Sequence, residues 1–357
     1  MKISVRVDAS SRIGTGHFMR CLTLADALKQ RGAQTRFISR YLPDHLRGML
    51  ADKGHEFMLL DGVQNDGTLD ELAHAGWLGV SQVQDAADSI RALSDESWDW
   101  LVVDNYALDL RWESELRRTA SRILVIDDIA DRRHDCNVLL DQNFYADMGT
   151  RYLYKVSTHC QLLLGPRYAL LRDEFRRLHE QANPRSGSVR RVLVFFGGVD
   201  TDNYTGRAIE ALSGIDVPDL HVDVVIGTQH PCRAQIETAC AQRGFICHVQ
   251  TDRMAELMAT ADLAIGAGGS ASWERCCLGL PALLVALADN QVDIAKALDS
   301  IGACVYLGTT EAVNLYTMQR AITNLLDTHD QLGSISRHAY SLVDGMGAIR
   351  VCQELGC

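Results

Sequence analysis

Leu263-Ala264-Ile265-Gly266-Ala267-Gly268-Gly269-Ser270-Ala271-Ser272-Trp273-Glu274 reads as a short apolar strand entering a glycine turn that opens a helix. Strand, glycine turn and helix are the unit from which parallel α/β sheets are wound. Outward from this stretch the pattern repeats. Pro281–Ala286 and Val222–Ile226 are further buried strands, and Val192–Phe196 runs straight into Gly197-Gly198. Upstream of these, RRLHEQANPRSGSVRR (176–191) is polar and carries Pro184, Ser186, Gly187 and Ser188, the marks of a linker.

The first half of the chain obeys the same rule. In Lys2–Val7, Ile3, Val5 and Val7 alternate with polar residues, the pattern of a strand. A loop, 8–16, follows, then a helix from about His17 to Gln30 with an apolar stripe at Cys21, Leu22, Leu24, Ala25 and Leu28; Gly32 stops it. Thr35–Ser39 and His55–Leu60 are read as strands flanking a helix near 44–53. Trp100–Asp104, Arg122–Asp128 and Val138–Asn143 are apolar runs ending in polar residues, as strands covered on both faces are. The expected fold is therefore α/β, with two Rossmann-like doubly wound domains. Residues 1–178 form the first, 190–335 the second, and 336–357 a C-terminal helix that could pack on either half.

Composition narrows the function. The 357 residues are 47% hydrophobic and 23% charged, a globular balance. The net charge of −11 speaks against a protein that grips nucleic acid by neutralising phosphates. It does not speak against local capture of one nucleotide by backbone amides. No apolar run reaches the roughly 18–20 residues of a membrane span. The opening MKISVRVDAS lacks the apolar core and cleavage site of a secretory signal, so a cytoplasmic chain with no membrane partner is expected. Its eleven cysteines form no CxxC, and its twelve histidines form no HExxH. Neither a metal nor a cofactor is indicated. The absence of GxSxG and of GxGxxG after the first strand argues against serine-hydrolase and nicotinamide chemistry.

Several residues could carry chemistry. Gly14 and Gly16 permit a tight turn and leave the main chain open to a ligand, and His17 falls at the start of the helix. The helix dipole there disfavours imidazolium, and a neutral ring can take a proton from water. A structural histidine on a glycine turn would look the same. Asp8 could orient that ring, touch sugar hydroxyls or simply cap the loop. Tyr106 and Asn143 stand just beyond apolar runs as candidate substrate contacts, although Tyr106 could equally be a packing residue. Gly268, Gly269 and Ser270 could hold a diphosphate with the amides of a helix start, and Glu274, about one turn on, could accept both ribose hydroxyls. Gly197 and Gly198 could support the nucleotide. Asn290 and Gln291 could bind phosphate or acyl groups, or Asn290 could be a helix cap. Asp127, Asp128 and Asp131 form an acidic cluster that reads more simply as loop acids than as a Mg²⁺ site.

RVDASSRIGTGHFMRCLTLADAL (6–28), VVDNY (102–106), IDDIADRRHDCNVLLDQN (126–143), LGPRYALLRDEF (164–175), FFGGVD (195–200), IGAGGSASWERCCLGLPALLVALADNQ (265–291) and DGMGAIRV (344–351) together resemble the UDP-sugar hydrolases of pseudaminic acid biosynthesis. That family resembles the lipid-II N-acetylglucosaminyltransferase and shares its GT-B architecture of two Rossmann-like domains facing a cleft. The resemblance implies metal-independent, inverting hydrolysis of UDP-2,4-diacetamido-2,4,6-trideoxy-β-L-altropyranose to the free sugar and UDP. It implies His17 as the general base, Tyr106 in the sugar site, Glu274 on the ribose, and Asn290 with Gln291 near sugar and phosphates. The segment 61–98 aligns poorly, so its contacts are left open, as is oligomeric state, a monomer being one option. A GT-B glycosyltransferase and a non-catalytic nucleotide-sugar-binding protein are the alternatives.

Overall fold

The computed structural model describes residues 1–10, 12–62 and 70–357; Ser11 of the first glycine loop and residues 63–69 of the poorly aligned segment lie outside it. The chain forms two compact units. One comprises Met1–Asn143, Asp147–Leu170 and Met346–Cys357, and the other Phe144–Ala146 and Leu171–Gly345.

The first unit contains β1 (Lys2–Val7), α1 (Gly16–Lys29), β2 (Gln34–Ser39), α2 (Asp44–Asp52), β3 (Glu56–Leu59), α3 (Gln82–Leu93), β4 (Trp98–Asp104), α4 (Leu110–Leu116), β5 (Ala120–Ile126), β6 (Val138–Asp141) and β7 (Gln161–Leu164). Its seven strands are ordered β3-β2-β1-β4-β5-β6-β7, all parallel. β4 explains why the sheet is covered on both sides. Trp100 and Val102 join the core that contains Phe18, Leu22 and Leu24 of α1, while Leu101 and Val103 join the one that contains Trp112 and Leu116 of α4. Burying one such side chain contributes about 1.5–3 kcal/mol, so alternate residues anchor both layers.

β1 departs from the half-exposed strand that its alternation suggests, for Ser4 and Arg6 are fully buried. The polar face is sealed under α3. Arg6 donates to Asp85 from Nε at 3.1 Å and Nη2 at 2.9 Å, and lies 2.8 Å from Asp8. A guanidinium is tolerated there because two carboxylates neutralise it.

The second unit contains α5 (Asp173–His179), β8 (Arg191–Phe195), α6 (Tyr204–Ser213), β9 (His221–Ile226), α7 (Arg233–Arg243), β10 (Ile246–Val249), α8 (Met254–Thr260), β11 (Leu263–Ala267), α9 (Ala271–Cys277), β12 (Ala282–Ala286), α10 (Asp289–Ser300), β13 (Val305–Thr309), α11 (Leu315–Asp327) and α12 (His329–Leu342). Its sheet is parallel and ordered β10-β9-β8-β11-β12-β13. Both units are thus Rossmann-like, as expected.

The boundaries fall differently from the sequence reading. Before its C-terminal return, unit one reaches only to Leu170, not 178, because α5 packs on α8 and α9. The polar stretch read as a linker begins inside α5 and is then pinned to the second unit. Arg185 donates from Nη2 to the carbonyls of Met258 and Ala259 at 2.9 and 3.0 Å, and its backbone N–H donates to Ser336 Oγ at 2.7 Å. The C-terminal segment is split. α12 stays in the second unit, while α13 (Gly347–Glu354) belongs to the first, its Val351 and Cys352 buried in the core of α1.

Candidate functional site

In each unit the strand order reverses direction once, and open α/β sheets bind ligands outside the carboxyl ends of the strands at that switch point. In the first unit the switch lies between β1 and β4, where Val7 sits beside Asp104 in register. In the second it lies between β8 and β11, where Phe195 sits beside Gly266. The two glycine loops read from the sequence emerge at these places.

The loop after β1 closes on itself, the Gly14 N–H donating to the Ser10 carbonyl at 2.8 Å. Gly14 has φ +80°, a conformation that strains any residue with a Cβ. A Cβ at Gly16 would meet nothing within 4 Å, so the main chain is open there. α1 starts at Gly16 and puts His17 and Arg20, three residues apart, on one face. Both reach Asp104 at the end of β4. His17 Nδ1 lies 2.7 Å from Asp104 Oδ1, and Arg20 donates to the same carboxylate from Nε at 2.6 Å and Nη2 at 2.7 Å. Arg20 Nη1 donates to Asp128 Oδ2 at 2.7 Å, and the Tyr106 hydroxyl donates to Asp128 Oδ1.

Burial pushes the Asp104 carboxyl up, but the Arg20 guanidinium, together with the hydrogen bonds from Arg20 and His17, outweighs it and holds it well below the ordinary carboxylate range. Burial, then the Asp128 charge, pushes the Tyr106 phenol well above its ordinary value, so it remains an O–H donor. The His17 side chain is 12% exposed while Asp104 is fully buried. A carboxylate at Nδ1 takes the N–H of a neutral ring and leaves Nε2 with its lone pair.

Asp8 does not orient His17. Its carboxylate accepts the backbone N–H groups of Arg40 and Tyr41 at 2.7 and 3.1 Å and Asn105 Nδ2 at 2.9 Å, besides pairing with Arg6. It braces the loop, and Asp104 is the ring's partner. Tyr106 is beside His17, the rings edge-on with centroids 4.7 Å apart, but it is 5% exposed. His74 and Trp77 also pack on its ring, at 5.2 and 5.4 Å. Asn143 stands beyond the end of β6, two strands from β4, with its N–H on Asp141 Oδ1 at 3.0 Å. Burial and the Asp128 charge push the Asp141 carboxyl up to about 7. In the acidic cluster, Asp127 and Asp131 each lie 2.9 Å from Arg132 Nη1. Asp127 and Asp131 thus pair with Arg132, and Asp128 with Arg20.

In the second unit Gly268, Gly269 and Ser270 turn the chain from β11 into α9. The amides of Gly269, Ser270 and Ala271 take no acceptor among the described residues. Gln291 sits against this turn: its Oε1 accepts the Leu287 N–H at 3.0 Å, and its Nε2 lies 3.7 Å from where a Gly269 side chain would begin. Asn290 is exposed in the first turn of α10. Glu274 is partly buried, 3.9 Å from Arg172, and burial pushes its carboxyl above the ordinary range. Gly197, with φ +100°, and Gly198 follow β8, the neighbour of β11. Nothing lies within 4 Å of a Cβ built on either. Asp200 caps α6 from this loop, accepting the N–H groups of Tyr204 and Thr205 at 3.0 and 2.7 Å.

The structure thus groups His17, Gly14, Gly16 and Tyr106 at one switch point, and the 268–270 turn, Gln291 and the β8 loop at the other. Sequence reasoning missed Arg20, which its i,i+3 spacing from His17 could have flagged, and Trp77 and His74, which no motif marks.

Residues 193–343 match the glycosyltransferase family 28 C-terminal domain. The chain is 23% identical to the spore coat polysaccharide biosynthesis protein SpsG of Bacillus subtilis over 98% of this chain and 96% of that protein. It is 27% identical to the UDP-2,4-diacetamido-2,4,6-trideoxy-beta-L-altropyranose hydrolase of Campylobacter jejuni over 57% of this chain and 62% of that one. In fold it is similar to Acinetobacter baumannii MurG, with TM-score 0.68, 16% identity and coverage of 100% and 99% of the two chains. It is also similar to the spinosyn rhamnosyltransferase SpnG, with TM-score 0.66, 15% identity and coverage of 99% and 100%. Two Rossmann-like units of this kind make up GT-B glycosyltransferases.

Proposed function

We propose that this protein hydrolyses a UDP-sugar at its anomeric carbon, and that the sugar is 2,4-diacetamido-2,4,6-trideoxy-β-L-altropyranose. The observation that carries the reading is the His17–Asp104 pair at the first unit's switch point, 2.7 Å apart beside an open glycine loop. The similarity to the hydrolase of Campylobacter jejuni, itself partial, supports the choice of sugar.

In this reading the diphosphate rests on the amides of 269–271 and the ribose on Glu274, with Asn290 and Gln291 near phosphate and acyl groups. Asp104 holds the Nδ1 proton, and Nε2 takes a proton from water as the water oxygen attacks C1 from the face opposite the phosphate. The C1–O bond breaks with its electron pair going to the UDP oxygen, and the sugar is released inverted. UDP is already a good leaving group, so aligned amides suffice to absorb its growing charge. General-base assistance supplies about 10²–10⁴ in rate, and His17→Asn should lose that factor in kcat while still binding UDP. Steady-state assay of UDP release checks this, and full activity in the variant would remove His17 from the mechanism.

A second reading, a glycosyltransferase using a UDP-sugar donor, is favoured by the family 28 match and the MurG-like fold. Proton NMR of the turnover mixture separates the two. Hydrolysis gives free sugar plus UDP without any acceptor, whereas transfer requires an acceptor alcohol.

A further inference from the structure

Trp77 ends a single 3-10 turn, Ala75–Trp77, that the chemistry above leaves unused. It is fastened to the His17 loop: Arg12 Nη1 donates to the Gly76 carbonyl at 2.9 Å. Its indole is oriented from two sides. His74 meets it edge-on at 4.7 Å, and Tyr106 stacks on it at 5.4 Å with the planes 27° apart. His17 faces it at 5.9 Å, the planes 78° apart. Of the chain's five tryptophans, Trp98, Trp100, Trp112 and Trp273 are buried and Trp77 alone is half-buried. Tyr106 cannot offer a ring face to a sugar: it is 5% exposed and carries His17, His74, Trp77 and the Arg132 guanidinium around its ring. Trp77 differs in exposure: Tyr106 stacks on one face of its indole, but the half-buried ring keeps part of its surface open near His17.

A pre-oriented indole accepts C–H groups on its electron-rich face and repels hydroxyl oxygens. From this geometry, and resting on the hydrolase reading, we propose that Trp77 is the apolar wall of the sugar subsite. It packs against the C–H face of the hexose. Trp77 contacts substrate and takes no part in proton transfer.

The test uses tryptophan fluorescence and kinetics of the full chain. In the His17→Asn variant, UDP-2,4-diacetamido-2,4,6-trideoxy-β-L-altropyranose should change tryptophan emission beyond any change that UDP alone produces. The change should vanish when Trp77→Phe is added. With His17 intact, Trp77→Ala should raise KM about tenfold while kcat stays within about threefold, and Trp77→Phe should recover most of the loss. Inhibition by UDP should be unaltered in both. A collapse of kcat at constant KM would show that Trp77 merely packs His17, and would overturn the proposal, as would a sugar-dependent signal that survives Trp77→Phe. If the wild type releases no UDP, the hydrolase reading fails first. The sugar-dependent emission change, which needs only binding, still decides for or against Trp77.

Discussion

Asp104 determines which nitrogen of His17 carries the proton. Nδ1 lies 2.7 Å from a buried carboxylate that Arg20 keeps ionised, with Arg20 Nη2 3.1 Å away; because a carboxylate can only accept, a neutral ring there carries its N–H on Nδ1 and its lone pair on Nε2. Asp104→Asn keeps the shape but allows the side-chain amide to donate to Nδ1, which moves the proton to Nε2 and would remove the base that the proposed mechanism needs. In a triad the corresponding exchange lowers kcat by about 10⁴-fold, so a loss approaching that size is expected here with KM for the UDP-sugar changed far less. Steady-state kinetics of the purified variant checks it; wild-type kcat would show that Asp104 has no hold on the tautomer. His17 was legible in the sequence because a histidine directly after Gly14-Thr15-Gly16 marks a helix start. Its partner was not, for Asp104 lies 87 residues away and only the β1–β4 register brings the two together. In the sequence Asp8 is the carboxylate that could orient the ring, and only the hydrogen bonds it receives from Arg40, Tyr41 and Asn105 show that it is committed elsewhere.

At the scale of elements, the strands were the most legible part, since parallel strands covered on both faces are apolar runs that end in polar residues. β1 was the exception. Its polar face is buried because α3 supplies Asp85 to Arg6, and a partner so remote in sequence leaves no local trace. The segment preceding β6 holds a second buried ion network. His134 Nδ1 lies 2.7 Å from Glu113 of α4, and its Nε2 lies 3.8 Å from Asp127 at the end of β5. Burial lowers the tendency of His134 to charge, but Glu113 and Asp127 overcome it and raise its pKa to about 9. A histidine whose folded pKa exceeds its unfolded value of about 6.5 stabilises the native state fully below pH 6.5. That contribution is lost as pH rises through 9. Urea midpoints should therefore fall between about pH 6.5 and 9, and His134→Gln should flatten the slope over that window. An identical slope in the variant would assign the pH dependence to other groups.

At the scale of the whole molecule, two consecutive strand–glycine-turn–helix series were enough to read two Rossmann-like units. Their limits were less legible: α5 continues into a polar stretch, and α13 returns to the first unit through contacts that no local signal encodes. A fold of this kind hosts transferases and hydrolases alike, so the reaction has to be argued from the site. The account rests on water, activated by His17, as the group that replaces UDP at C1. Turnover of UDP-2,4-diacetamido-2,4,6-trideoxy-β-L-altropyranose in oxygen-18-labelled water, with no acceptor alcohol added, tests this most directly by mass spectrometry of the products. The account predicts free diacetamido sugar in equal amount to UDP, with the label absent from the UDP. Label in the UDP phosphate, or no free sugar until an acceptor is supplied, would contradict it.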